Sequence, residues 1–182
     1  MKQLEQTTAY GIAGVPGVEP ALRDRLIAGL NRNLATLTDL MVAYKQAHWN
    51  VVGRSFAQLH ELFDRFADET RGYVDLVAER AVALGGVAHG TLQAATEQTA
   101  LPPFPLEERD ESHLLEALAE HTDRVAAELR QAVAASAAEA ATQDLYIEVL
   151  RGLEGQRWML LAHLAGAHPG GTADSGRKGP AA

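Results

Sequence analysis

The chain contains no cysteine, which excludes disulfides, thiolate metal sites and cysteine nucleophiles. Aromatic residues make up only 5% of it, so a core has to be built from aliphatic side chains. No proline falls between Pro20 and Pro102, or between Pro105 and Pro169, which leaves two long stretches free of the strongest helix breaker. There is no run of about 18 apolar residues, so no membrane span is expected. The N-terminal region carries Lys2 but no apolar stretch, so no secretory leader is expected either. Basic residues are the minority charge: 16 Lys and Arg against 24 Asp and Glu leave a net charge of -8. That balance disfavours a surface devoted to neutralising phosphate and suits traffic in cations. The expectation is a soluble, cytoplasmic protein.

What is present is helical periodicity. At 182 residues, 47% of them hydrophobic, the chain fits one domain with tails. Residues 1–18, with Gly11, Gly14, Pro16 and Gly17, read as a flexible arm. Pro20 suits the first turn of a helix, and Leu22, Leu26, Leu30, Leu34, Leu37, Met41 and Tyr44 follow at steps of three and four. This helix runs to about Val51 and breaks at Gly53. A second helix starts near Ser55, a suitable N-cap, carries Leu59, Phe63, Phe66, Val74, Val77 and Leu84, and stops at Gly85-Gly86. Residues 87 to about 109 form a long connection with room for a short helix over Thr91–Thr96. A third long helix begins near Asp110 with Leu114, Leu118, Val125, Leu129 and Val133, and a fourth spans about Ala141 to Leu164. Nothing reads as a strand. The pattern predicts an all-α, ferritin-like four-helix bundle over residues 19–165, with a long crossover between its second and third helices and a disordered tail over 166–182.

The second helix carries the chemistry. His60/Asp64 and Asp75/Glu79 are each spaced i,i+4, so each pair shares a face. The eleven residues from Asp64 to Asp75 return to nearly the same azimuth but rise roughly 16 Å along the axis. One ion cannot touch both pairs of one helix. A second copy of the helix, turned antiparallel by a two-fold axis, would lay one pair against the other. Imidazole with carboxylate suits iron, zinc or manganese rather than calcium or magnesium. His48, at the end of the first helix, can approach the start of the second and join His60 and Asp64. Taken singly, each of these residues is common on a solvated helix face.

The run Tyr44-Lys45-Gln46-Ala47-His48-Trp49-Asn50-Val51-Val52-Gly53, followed by Phe56, Leu59-His60-Glu61, Phe63-Asp64 and Ala78-Glu79-Arg80, closely resembles the Dps family, the ferritin-like DNA-protection proteins of starved bacteria. The resemblance extends through Leu84-Gly85-Gly86 and Trp158, over roughly residues 20 to 165. It implies that His48, His60 and Asp64 of one subunit face Asp75 and Glu79 of a two-fold mate in a di-iron ferroxidase site, with His60 binding directly or through a water. It further implies a hollow homododecamer with tetrahedral symmetry that oxidises Fe(II), usually with hydrogen peroxide, stores ferric mineral, and so protects the cell in oxidative stress. Zinc would be a competitor at the site. Trp49, beside His48, has two readings: an interface packing residue, or a near-site group that intercepts stray oxidising equivalents. Asp144 matches an acidic position like those lining the family's three-fold pore, with Glu139 and Glu148 as assistants. A ring of carboxylates there would focus cations inward.

An alternative is a nucleoid-associated, DNA-compacting protein whose iron chemistry is secondary. The termini offer it Lys2, Arg177 and Lys178, the last two near Asp174. A conventional di-iron centre inside each bundle would want Glu-x-x-His motifs. No His here has Glu three residues before it.

Overall fold

The computed structural model describes residues 15–167. The expected arm up to residue 14 and the tail from 168, with Lys2, Asp174, Arg177 and Lys178, lie outside the described residues. Four long helices and one short one follow in order: α1 (Pro20–Asn50), α2 (Phe56–Ala83), α3 (Leu92–Gln98), α4 (Glu111–Ala135) and α5 (Ala140–Ala167). Among the described residues there is no strand, only an isolated parallel bridge between Val52 and Asp110. None of the helices is long and apolar enough to cross a membrane.

The helix ends follow from local chemistry. Pro20 opens α1 without sacrificing a hydrogen bond, and the Glu19 carboxylate accepts the Leu22 N–H at 2.9 Å. At α2 the outcome differs from expectation. Ser55 stands at the N-cap position, but its hydroxyl makes no cap hydrogen bond; its N–H donates to Glu111 Oε2 of α4 at 2.9 Å. Gly53 stands close by, and a Cβ there would run into that same carboxylate. The α1–α2 corner is thus clamped to the start of α4, and Val52 N–H adds a 2.9 Å bond to Arg109 O. The other end of α2 stops at Gly85, whose φ of 89° favours glycine, with Gly86 N–H reaching back to Ala81 O at 2.9 Å. Thr91 caps α3 and Asp110 caps α4 through their side chains.

Helices α1 and α2 form one antiparallel hairpin, α4 and α5 the other, and the crossover lays α3 against α1. The aliphatic stripes meet between them: Leu30, Leu34, Leu37 and Leu40 of α1, Phe63, Phe66 and Val77 of α2, Leu118 and Leu129 of α4, and Val149, Leu153 and Leu160 of α5 are all buried. Each such side chain contributes about 1.5–3 kcal/mol when fully buried. One polar chain crosses this interior. Tyr44 Oη lies 2.8 Å from Thr122 Oγ1 and donates to Gln156 Oε1 at 3.1 Å, while Gln156 Nε2 donates to Glu69 Oε2 at 3.0 Å. The four long helices are thereby tied at one level by satisfied hydrogen bonds.

Candidate metal centre

The last turn of α1 and the second turn of α2 face each other across the corner, and they meet through two histidines. His48 Nδ1 lies 2.7 Å from His60 O, and His60 Nδ1 lies 2.9 Å from His48 O. The imidazoles stack, with centroids 3.7 Å apart and planes 22° from parallel. A carbonyl oxygen can only accept, so each Nδ1 carries a proton, and in the neutral imidazole each Nε2 is the nitrogen with the lone pair. That is the tautomer in which Nε2 can ligate a metal, with ring orientation set by the partner of the other nitrogen. Phe56 stacks on the far side of His60 at 5.2 Å.

Asp64 stands one turn beyond His60. Its Oδ1 accepts from Lys45 Nζ at 2.5 Å. This hydrogen bond holds its carboxyl below the ordinary carboxylate range against an opposing effect of burial, with the nearby His48 and His60 adding to the lowering. Lys45 also sits 5.7 Å over the ring of Trp49, which is 64% exposed. Lysine therefore bridges the acidic residue and the tryptophan, a link invisible to metal-ligand spacing because lysine is not a ligand. Its signal was position: Lys45 precedes His48 by three residues on the same face of α1.

Asp75 and Glu79 are exposed on α2 and make no hydrogen bond or ion pair among the described residues. They share a face, as expected, and lie three turns from Asp64. The structure thus pairs His48 with His60, sets Asp64 one turn further along α2, and leaves Asp75 and Glu79 apart from them. Among the described residues no three His, Asp or Glu side chains of one chain converge on a common point.

The three acids expected near a pore part company. Asp144 and Glu148 are exposed, one turn apart on α5. Glu139 is not available to a passing cation. Its carboxylate accepts from Arg80 Nη2 at 2.6 Å, from the Thr142 N–H at 2.8 Å and from the Thr142 hydroxyl. Burial would raise this carboxyl, but the Thr142 and Arg80 hydrogen bonds prevail and hold it at about 2. Glu139 caps α5 and neutralises Arg80.

A family model described as a ferritin-like domain matches residues 27–167. The DNA protection during starvation protein of Agrobacterium fabrum is 38% identical over 144 residues, covering 78% of this chain and 89% of that protein. Among solved structures, DpsA14 from Streptomyces coelicolor superposes with a TM-score of 0.81 at 39% identity, over 84% of this chain and 91% of that one. Mycobacterium smegmatis Dps does so with a TM-score of 0.82 at 31% identity, over 92% and 98% of the two chains.

Proposed function

The chain belongs to the Dps family of ferritin-like proteins, whose general business is iron storage and protection from oxidative damage, and from that premise we propose that it is a peroxide-consuming ferroxidase assembled as a hollow homododecamer. The observation that carries the reading is the His48–His60 clasp beside Asp64, paired with two unpartnered carboxylates eleven and fifteen residues beyond Asp64 on the same helix. Neither group is a complete ligand set. Two copies of α2 related by a two-fold axis complete two sites at once, each with His48, His60 and Asp64 from one subunit and Asp75 and Glu79 from its mate.

Ferrous iron is the substrate. The two Nε2 lone pairs and the carboxylates hold a pair of ions, and the carboxylate oxygens favour the ferric product. Two adjacent ferrous ions give one electron each to a peroxide molecule, whose O–O bond breaks to leave two hydroxide ions. Delivery of both electrons at one place avoids hydroxyl radical. Trp49, exposed beside the site, packs against the neighbouring subunit or takes up a stray oxidising equivalent. Asp144 and Glu148 line the route for cations into an acidic shell, where ferric mineral accumulates. Zinc, sharing the taste for imidazole and carboxylate, competes with iron.

The test is His48→Ala combined with Asp75→Ala. Fast ferrous oxidation, followed optically after anaerobic iron addition and a pulse of peroxide, is lost while the shell still assembles. Unchanged oxidation by the double variant overturns the assignment. The second reading, a DNA-compacting protein acting in the nucleoid, is favoured by the names of its relatives and opposed by the net charge of -8. Gel retardation across a salt series decides: a retarded band near physiological salt promotes it.

A further inference from the structure

A second site lies at the other end of the bundle. Between the N-terminal half of α1, the C-terminal half of α4 and the start of α5 is a half-open cavity of about 550 Å³, with Arg25 and Arg32 exposed at its mouth. That volume falls within the range of small-molecule sites. Arg32 on its rim is sixteen residues from His48, about 24 Å along α1, so the cavity is separate from the iron chemistry.

Two polar side chains at this cavity lack partners. Asn33 is 7% exposed and Tyr146 is 2% exposed, yet neither side chain makes a hydrogen bond among the described residues. Their polar tips are reached by water from the open volume, since among the described residues Thr70 Oγ1 is the one side-chain polar atom that is both enclosed and unpaired. Asn31, two residues from Asn33, shows the ordinary outcome: its amide donates to Val87 O at 2.9 Å and accepts from His89 N at 2.8 Å. Both unpaired groups line the cavity.

Charge is in place as well. Arg25 and Arg32 line the cavity and form no ion pair among the described residues. Arg32 Nη2 and Tyr146 Oη lie 3.8 and 3.9 Å from the point where a Cβ on Gly29 would stand, so a guanidinium and a phenol flank the same point above the glycine. Burial raises the Tyr146 hydroxyl above its ordinary value, with the Arg32 charge opposing, so the phenol remains a donor. Glu128 is the one carboxylate in the lining. Two guanidinium groups against it leave a net charge of +1, which matches a monoanion better than a phosphate dianion. The remaining wall is largely methyl surface from Leu26, Ala28, Ala132 and Ala135.

We propose that this cavity binds a small organic monocarboxylate with an apolar body, its head held by Arg32, Tyr146 and Asn33 and its body lying on the alanine wall. Arginine suits the head because its fork matches carboxylate geometry. Octanoate is the probe, titrated calorimetrically into the assembled, iron-free protein, with octanamide as the neutral body-matched control and inorganic phosphate as the dianion. The expected result is saturable binding of one octanoate per subunit, with octanamide and phosphate weaker by about tenfold or more. Arg32→Gln weakens octanoate by a similar factor and Tyr146→Phe by a smaller one, both without change in ferrous oxidation. Absence of octanoate binding at millimolar concentration overturns the proposal, as does equal binding of octanamide or an undiminished affinity in both variants. A crystal structure of the assembled shell with a neighbouring subunit's segment filling the cavity overturns it too.

Discussion

Lys45 is the residue whose role is clearest in three dimensions and least visible in one. By holding Asp64 Oδ1 at 2.5 Å it keeps that carboxylate ionised and aimed beside the two imidazoles. Because the Asp64 pKa is lowered, its charge persists as pH falls through the ordinary carboxylate range. Lys45→Met removes the main cause of the lowering. The acid limb of kcat/KM for ferrous oxidation, which reports the free protein, therefore moves to higher pH in the variant. An unmoved limb in a variant that still assembles would show that Lys45 does not set the ionisation of Asp64. The histidines differ in this respect. His48 and His60 at their twelve-residue separation were readable as candidate ligands from spacing and family resemblance, but the exchange of Nδ1–carbonyl bonds between them depends on how α1 turns back on α2.

At the scale of elements, the long helices were legible to within about three residues, the largest difference being at the end of α5, expected near Leu164 and observed at Ala167. The expected span from Pro20 to about Val51 is observed as Pro20–Asn50, and the Gly85-Gly86 stop closes α2 at Ala83. Apolar periodicity and proline placement act locally, so a linear reading captures them. The caps were harder. Ser55 has the right residue type and position, yet its backbone goes to Glu111 across the bundle, a partner 56 residues away. Glu139, expected beside Asp144 at a pore, ties Arg80 of α2 to Thr142 at the start of α5. Glu139→Gln leaves Arg80 in a half-buried setting without its counter-charge and costs about 2 kcal/mol of stability at neutral pH. The sign with pH follows from the lowered pKa: the contribution is complete above the ordinary value of 4.5 and is lost as pH falls toward about 2. Denaturant unfolding of wild type and variant should therefore differ at pH 7 and converge in acid.

For the whole molecule, the proposed site is a property of assembly. Trp49, Phe56, Leu106 and Trp158 are large apolar side chains left between 48% and 67% exposed. A shell would cover such surface and bring α2 against its mate. Mixing distinguishes this arrangement from a site within one chain. Shells reassembled from equal amounts of His48→Ala and Asp75→Ala subunits contain mixed pairs in which one site is intact and the other doubly damaged. With random pairing roughly a quarter of the sites recover, and ferrous oxidation returns in proportion. If each variant alone is inactive and the mixture stays inactive, the ligands do not come from two subunits. A subunit held as a monomer is inactive by the same reasoning.

Sequence alone determined the all-α class, the helix spans, the crossover and the geometric fact that one α2 cannot close both ligand pairs on one ion. These rest on 3.6-residue periodicity, on proline and glycine placement and on axial rise, which are properties of neighbours along the chain. Tertiary structure decided the tautomers of His48 and His60, the tether from Lys45 to Asp64, the diversion of Ser55 and Glu139 to distant partners, and the cavity under Arg32 and Tyr146. Each of these depends on which side chains face one another once α1 folds onto α2 and α4 onto α5. That pairing is set by the packing of whole helix faces, so no short window of sequence contains it.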